Sequence, residues 1–184
     1  MPLAVVGLGS SLGDRRTALQ FGANALARLP GIDVLAVSRI YVSPPLGSEA
    51  HQPFLNAAVL VALDCTPEVL LEACRELEDR RGRRRGRKWM DRTLDLDLLW
   101  VEGVLRKESG LQLPHPGLRV RPFALFPLLD LLPGAVAPGG GDSYASLSAS
   151  MRAPPVVGVL AMPRGAGYSR ARNRAWAQGP REQA

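Results

Sequence analysis

Residues 92–100 of the chain read RTLDLDLLW, a run in which polar and leucine side chains alternate before it becomes wholly apolar. Successive side chains of a β-strand point to opposite faces of the sheet. We therefore predict a strand whose polar face carries Thr93, Asp95 and Asp97 side by side. The opposite face is predicted to carry the apolar side chains of the run, which are Leu94, Leu96, Leu98 and Trp100.

The two aspartates on this strand are the first indication of chemistry. Adjacent carboxylates repel each other unless a cation lies between them. Mg²⁺ binds carboxylate oxygens and completes its coordination shell with water and substrate phosphates. Asp95 and Asp97 are therefore predicted to hold a divalent metal, which indicates phosphate chemistry.

The segment that precedes the strand is strongly basic, and residues 82–89 read GRRRGRKW. Closely spaced guanidinium groups repel one another unless an anion neutralises them, and arginine binds phosphate through paired hydrogen bonds. Taken alone, this segment is as compatible with an RNA-binding patch as with a solvated surface run. Its direct connection to the paired carboxylates favours phosphoryl transfer, which depends on positioning and charge neutralisation.

The composition is that of a single globular domain. The chain has 184 residues, of which 46% are hydrophobic and 22% charged, and its formal net charge is +6. No apolar run approaches the ~20 residues of a membrane-spanning helix, and the N-terminus lacks the charged region of a signal peptide. We therefore expect a cytoplasmic protein with no membrane partner. The two histidines nearly exclude a zinc site built from histidine.

The order of predicted elements indicates the fold class. Apolar periodicity and Pro/Gly breakers predict strands over 3–9, 34–43, 54–63 and 94–100, with helices over 14–29, 67–82 and 121–132. A further strand is predicted over 156–162. The order β-α-β-β-α-β is the ferredoxin-like plan, an α+β fold in which helices pack on an antiparallel sheet. We expect three layers, αβα.

Several segments together resemble the 6-hydroxymethyl-7,8-dihydropterin pyrophosphokinase family of folate biosynthesis. They read GLGSSLG at 7–13, SPPLG at 43–47, FLNAA at 54–58, RTLDLD at 92–97, PHP at 114–116 and RPF at 121–123. The resemblance implies transfer of pyrophosphate from ATP to the hydroxymethyl group of the pterin, with release of AMP. It covers about residues 3 to 150, so we expect a catalytic domain over 1–153 and a basic Pro/Gly/Ala-rich extension over 154–184.

The same resemblance implies roles for individual residues. Asp95 and Asp97 are expected to bind two Mg²⁺ ions, and Arg83 and Arg92 to be mobile catalytic cations beside them. Aromatic rings that sandwich the flat pterin and an amide at its polar edge fit the residues expected to bind it, which are Ser43, Pro44, Leu46, Phe54, Asn56, Trp89 and Phe123. The residues expected to bind ATP are Glu78, Arg85, Trp89, Arg92, Leu98, His115 and Arg121. A monomer with no nucleic-acid partner is expected, and no general base is assigned.

The chain departs from the pattern of this family at a few positions. Ser11 stands where asparagine is common, and Met90 and Asp91 replace a more usual Gly-Pro pair. Asp91 thereby adds a negative charge beside Arg92.

Two other functions remain open from the residues alone. A nucleic-acid-binding module would use the basic loop, but it leaves the paired aspartates unexplained. A palm-like nucleotidyltransferase also uses paired aspartates, but it does not explain the SPPLG and FLNAA segments. The glycine turn at 7–13 differs from the dinucleotide-binding and P-loop motifs, which argues against those two folds.

Overall fold

A computed structural model shows a mixed fold of strands and helices with one main sheet. The structure describes residues 1–45, 52–82, 91–108, 110–140 and 143–164. The strands are β1 Leu3–Ser10, β2 Ile32–Val37, β3 Arg39–Ser43, β4 Phe54–Leu63, β5 Asp95–Val101, β6 Arg106–Glu108, β7 Leu111–Leu113 and β8 Val156–Val159. The helices are α1 Arg15–Leu26, α2 Pro67–Arg80, α3 Pro122–Leu131 and α4 Tyr144–Ser148, and a 3₁₀ turn spans Pro116–Arg119.

Neighbouring strands of the main sheet are antiparallel and follow the order β5-β1-β4-β3-β8, with β2 also paired to β4. Strand β1 therefore lies between β4 and β5. Because β2 and β3 together occupy the position of the second strand, the core strands have the order of a ferredoxin-like βαββαβ unit. The predicted α+β fold is confirmed.

The sheet is buried on both faces by helices. On one face α1 and α2 pack Leu19 and Leu70 against Val6 and Val59. On the other face α3 packs Leu125 and Leu128 against Val5 and Leu60 of the same two strands. Consecutive residues of β1 and β4 thus enter different cores, as strand alternation requires. The three predicted layers are confirmed.

A β-bulge in β5 changes which face its last residues occupy. Val6 pairs with Leu98 but Val5 pairs with Trp100, so Leu99 is an extra residue opposite β1. Leu98 consequently lies in the core under α1 and α2, whereas Leu99 and Trp100 both lie in the core under α3. The prediction that Trp100 shares a face with Leu98 is wrong, because simple alternation does not survive the bulge.

Two other expectations about the strands are modified. The run predicted over 34–43 is divided at Ser38, whose hydroxyl accepts a hydrogen bond from the Ala58 N–H at 2.8 Å. The strand predicted over 156–162 is present as β8, which pairs with β3 but ends at Val159. Leu160, just after β8, is buried in the core under α1 and α2. The expected domain boundary at 153/154 therefore precedes a strand of the main sheet, and residues 165–184 lie outside the described residues.

None of the helices in the described part of the chain combines the length and the apolar character that crossing a bilayer requires.

Candidate active site

Three adjacent strands bring polar side chains into one row across the sheet. Gly9 of β1 pairs with Asn56 of β4 on one side and with Asp95 of β5 on the other. An ideal Cβ atom on Gly9 would lie 3.6 Å from Asn56 Oδ1 and 3.6 Å from Asp95 Cβ. Because glycine has no side chain, the amide and the carboxylate share an open space above Gly9.

In the next row along β1, the space above the glycine is filled by a leucine side chain. Gly7 pairs with Ala58 on β4 and with Asp97 on β5. A Cβ atom on Gly7 would lie only 3.0 Å from Leu99 Cδ1, closer than side chains normally pack. The bulged Leu99 therefore lies over Gly7 and forms a wall beside the open space, with Asp97 at the same level of the strand.

A cavity of about 330 Å³ occupies this space. Nine of its lining residues were expected from the sequence: Ser43, Phe54, Asn56, Arg92, Asp95, Asp97, His115, Arg121 and Phe123. Six others were not expected: Gly7, Leu8, Gly9, Ala57, Leu99 and Ala124. The alternating glycines at 7 and 9 were the available signal, since a strand that lacks side chains on one face often lets another group approach closely.

The carboxylates of this cavity suit a hard divalent cation. Asp95 and Asp97 lie on the same face of β5 and line one cavity. Among the described residues no cluster of three or more His, Cys, Asp or Glu side chains could hold a metal. A cation bound here would therefore need oxygen ligands from water or a phosphate, which is the coordination that Mg²⁺ commonly has. The residues present fit the predicted metal.

An arginine reaches the same carboxylates. Arg92 Nη1 lies 2.5 Å from Asp95 Oδ1, and the two side chains are 28% and 18% exposed. Arg121, at the start of α3, contributes a second guanidinium to the lining. Two arginines and two carboxylates thus line one cavity, where a polyphosphate with its metal would be neutralised.

Other residues of the same cavity are suited to a flat polar ring. Asn56 Nδ2 donates to Ser43 Oγ at 2.9 Å, and both residues are buried. This bond orients the amide so that its oxygen faces the space over Gly9. The half-buried rings of Phe54 and Phe123 also line the cavity. The amide provides both a donor and an acceptor, and the rings provide apolar faces.

His115 is held in one orientation by the backbone. Its ring Nδ1 accepts a hydrogen bond from the Gly117 N–H at 3.1 Å, and the backbone N–H of His115 donates to the Leu99 carbonyl at 2.8 Å. The neutral ring therefore carries its proton on Nε2. Burial lowers the pKa of His115, and the nearby positive charge of Arg121 lowers it further, while Asp95 partly opposes the shift.

The lowered pKa of His115 predicts a pH-dependent stability. When the pH falls below 6.5, the ordinary pKa of histidine, His115 is protonated in the unfolded chain but resists protonation in the folded chain. The free energy of unfolding should therefore be unaffected by His115 above about pH 6.5 and fall as the pH is lowered, by less than about 1.4 kcal/mol per pH unit. Urea titrations between pH 5.5 and 7.5 measure this slope. A His115→Gln variant should have a shallower slope, and an unchanged slope would contradict the assignment.

Several residues expected at the site lie elsewhere. Glu78 of α2 is buried, and its Oε1 accepts a hydrogen bond from the Leu96 N–H at 2.7 Å. It supports β5 from the helix side, because α2 packs on the face opposite the cavity. The Leu98 side chain is in the core on that same face, and Pro44 is exposed at the end of β3. Leu46, Arg83, Arg85 and Trp89 lie outside the described residues.

Comparison with known proteins is consistent across sequence and structure. The family model described as 7,8-dihydro-6-hydroxymethylpterin-pyrophosphokinase matches residues 5–133. A 2-amino-4-hydroxy-6-hydroxymethyldihydropteridine pyrophosphokinase of Methylorubrum extorquens is 42% identical over 151 residues, which cover 82% of this chain and 94% of the relative. The protein of the same description from Pseudomonas aeruginosa is 38% identical over 135 residues, covering 73% of this chain and 83% of the relative.

Solved structures share the fold at low sequence identity. An HPPK-DHPS protein in complex with substrates superimposes with a TM-score of 0.64 at 12% identity, covering 81% of this chain and 43% of that one. The wild-type HPPK-DHPS of Plasmodium falciparum superimposes with a TM-score of 0.59 at 14% identity, covering 80% and 43%. This chain therefore spans less than half the length of those solved proteins.

Proposed function

The chain belongs to the 7,8-dihydro-6-hydroxymethylpterin-pyrophosphokinase family, and we propose that the cavity over Gly9 is where its reaction takes place. The enzyme transfers pyrophosphate from ATP to the hydroxymethyl group of 6-hydroxymethyl-7,8-dihydropterin in folate biosynthesis, and AMP is released. The observation that carries the proposal is the row Asn56–Gly9–Asp95. It places a group suited to the pterin edge beside a group suited to a metal-bound phosphate.

The pterin side of the cavity is formed by β4 and α3. We assign the polar edge of the pterin to Asn56, whose orientation is held by Ser43. Phe54 and Phe123 contribute aromatic surface to the same side. Pro44, Leu46 and Trp89 remain predicted pterin contacts.

The ATP side is formed by β5 and the start of α3. Arg92 and Arg121 are assigned to the polyphosphate, with His115 beside them as a neutral donor through Nε2. Asp95 and Asp97 would hold Mg²⁺, for which two ions are proposed. When bound, Mg²⁺ neutralises charge on the phosphate oxygens. Arg83, as a catalytic cation, and Arg85, as an ATP contact, remain predictions, whereas the Glu78 and Leu98 side chains lie on the face of the sheet opposite the cavity.

The described residues contribute positioning and charge to the transfer. The hydroxymethyl oxygen attacks the β-phosphorus, a bond forms between them, and the bond from the β-phosphorus to the bridging oxygen of AMP breaks. We assign Arg92 to the charge that accumulates during this exchange, because it contacts Asp95 at the metal-binding end of the row. Phosphoryl transfer needs little covalent help from the protein, so no residue is assigned as a general base.

The product of the reaction tests the function directly. ATP, Mg²⁺ and 6-hydroxymethyl-7,8-dihydropterin are incubated with the protein, and the nucleotides are separated. We expect one AMP for each pterin diphosphate and no AMP when the pterin is omitted. Formation of ADP would contradict pyrophosphate transfer, and nucleotidyl transfer would instead release inorganic pyrophosphate. The cytoplasmic location, the monomeric state and the absence of a nucleic-acid partner stay predictions.

A further inference from the structure

Ser11 follows β1 directly and holds the backbone of Arg92 from both sides. Its N–H donates to the Arg92 carbonyl at 2.9 Å. Its hydroxyl oxygen accepts from the Arg92 N–H at 2.9 Å. The residue is 3% exposed, so these bonds form away from bulk water. Both polar backbone atoms of Arg92 are therefore bonded to the residue that follows β1, and the Leu12 N–H also donates to the Arg92 carbonyl at 3.1 Å.

The hydroxyl of Ser11 is itself oriented by a carboxylate. It donates its hydrogen to Asp91 Oδ1 at 3.0 Å. A hydroxyl has one hydrogen, and once that hydrogen points to Asp91 the lone pairs are free to face the Arg92 N–H. An ionised acceptor also gives a stronger hydrogen bond than a neutral one. Asp91 thus orients the Ser11 hydroxyl so that its oxygen can accept the hydrogen bond from the Arg92 N–H.

We propose that Ser11, oriented by Asp91, is a positioning residue that keeps Arg92 aimed at Asp95 and the cavity. The inference rests on the proposed role of Arg92 in pyrophosphate transfer. The guanidinium is three residues before Asp95 and reaches it at 2.5 Å, so a change at the Arg92 backbone is passed directly to the cavity. The side chains of Ser11 and Asp91 are in direct contact, so the two residues act on the Arg92 backbone together.

The neighbouring serine provides a matched control. Ser10 is also buried, and its hydroxyl donates to the Thr93 carbonyl at 2.7 Å. Ser10→Ala and Ser11→Ala each remove one buried hydroxyl that bonds the same segment to the end of β1. The two variants should lower the melting temperature by similar amounts. If Ser11 acts through Arg92, Ser11→Ala should lower turnover much more than Ser10→Ala.

The test is a double-mutant cycle in the pterin- and ATP-dependent AMP assay. Ser11→Ala is expected to lower kcat about tenfold in the wild-type background and less than about twofold when Arg92 is already alanine. Ser10→Ala should change kcat less than about twofold, and Ser11→Thr, which retains the hydroxyl, should recover most of the activity. Asp91→Ala leaves the buried serine in place. It should also lower kcat in the wild-type background and have little effect when Arg92 is already alanine. This variant decides the question if Ser11→Ala does not fold.

The outcomes separate this inference from the proposed function. An active wild type in which Ser11→Ala and Asp91→Ala lower kcat equally with and without Arg92 would overturn the positioning role. So would an equal loss of kcat in Ser10→Ala and Ser11→Ala, since that indicates a general structural effect. A wild type that forms no AMP would instead overturn the function itself.

Discussion

Replacing Asp97 by alanine is expected to reduce the rate of AMP formation by more than about 100-fold, with the fold retained. The side chain is half-buried on the cavity face of β5, so its loss removes a carboxylate from the predicted metal site without opening a core. Turnover is measured at saturating ATP and pterin over a range of Mg²⁺ concentrations. We expect the Mg²⁺ requirement to rise as well, because one ligand is missing.

A matched control uses an aspartate at the end of β4. Asp64 is exposed and does not line the cavity, so Asp64→Ala should keep near-normal turnover. Asp95→Ala should be impaired like Asp97→Ala, and it also removes the ion-pair partner of Arg92. Near-normal turnover in Asp97→Ala at low Mg²⁺ would contradict the assignment of both carboxylates to a metal.

Enlarging Gly9 is expected to have the second large effect. Gly9→Val should lower kcat/KM by about 100-fold, because its branched side chain would enter the space between Asn56 and Asp95. Small displacements of reacting groups can cost about this factor. The measurement is steady-state kinetics with each substrate varied in turn, accompanied by a thermal unfolding curve.

Gly9→Ala distinguishes two effects of replacing the glycine: the volume of the new side chain in the cavity and the change in backbone flexibility. A Cβ atom alone on Gly9 would meet its neighbours at 3.6 Å or more, which is ordinary contact. Gly9→Ala should therefore retain more activity than Gly9→Val while having similar stability. If Gly9→Val retained wild-type kcat/KM, the two substrates would not meet above this residue.

Predictions that depended on local periodicity were largely confirmed. The alternation in RTLDLDLLW correctly placed Asp95 and Asp97 on one face, since successive residues of a regular strand point their side chains to opposite faces. The same rule failed at Trp100, because the pairing of β5 with β1 contains a bulge that local sequence does not reveal. Glu78 illustrates a different limit. The resemblance implied a role in ATP binding for this residue, but its hydrogen bond to the Leu96 N–H depends on how α2 packs against β5.

By itself the sequence determined the order of the elements, the ferredoxin-like core and the carboxylate pair, because propensity and periodicity act between residues close along the chain. Its short motifs, such as SPPLG and RTLDLD, carried the resemblance to the family. The tertiary structure decided which strands meet and in what register. It placed Asn56, Gly9 and Asp95 in one row, directed Glu78 and Leu98 away from the cavity, and bonded Ser11 to Arg92 across 81 positions of sequence. These contacts form between segments distant in sequence, and their register is selected by burying both faces of the sheet at once.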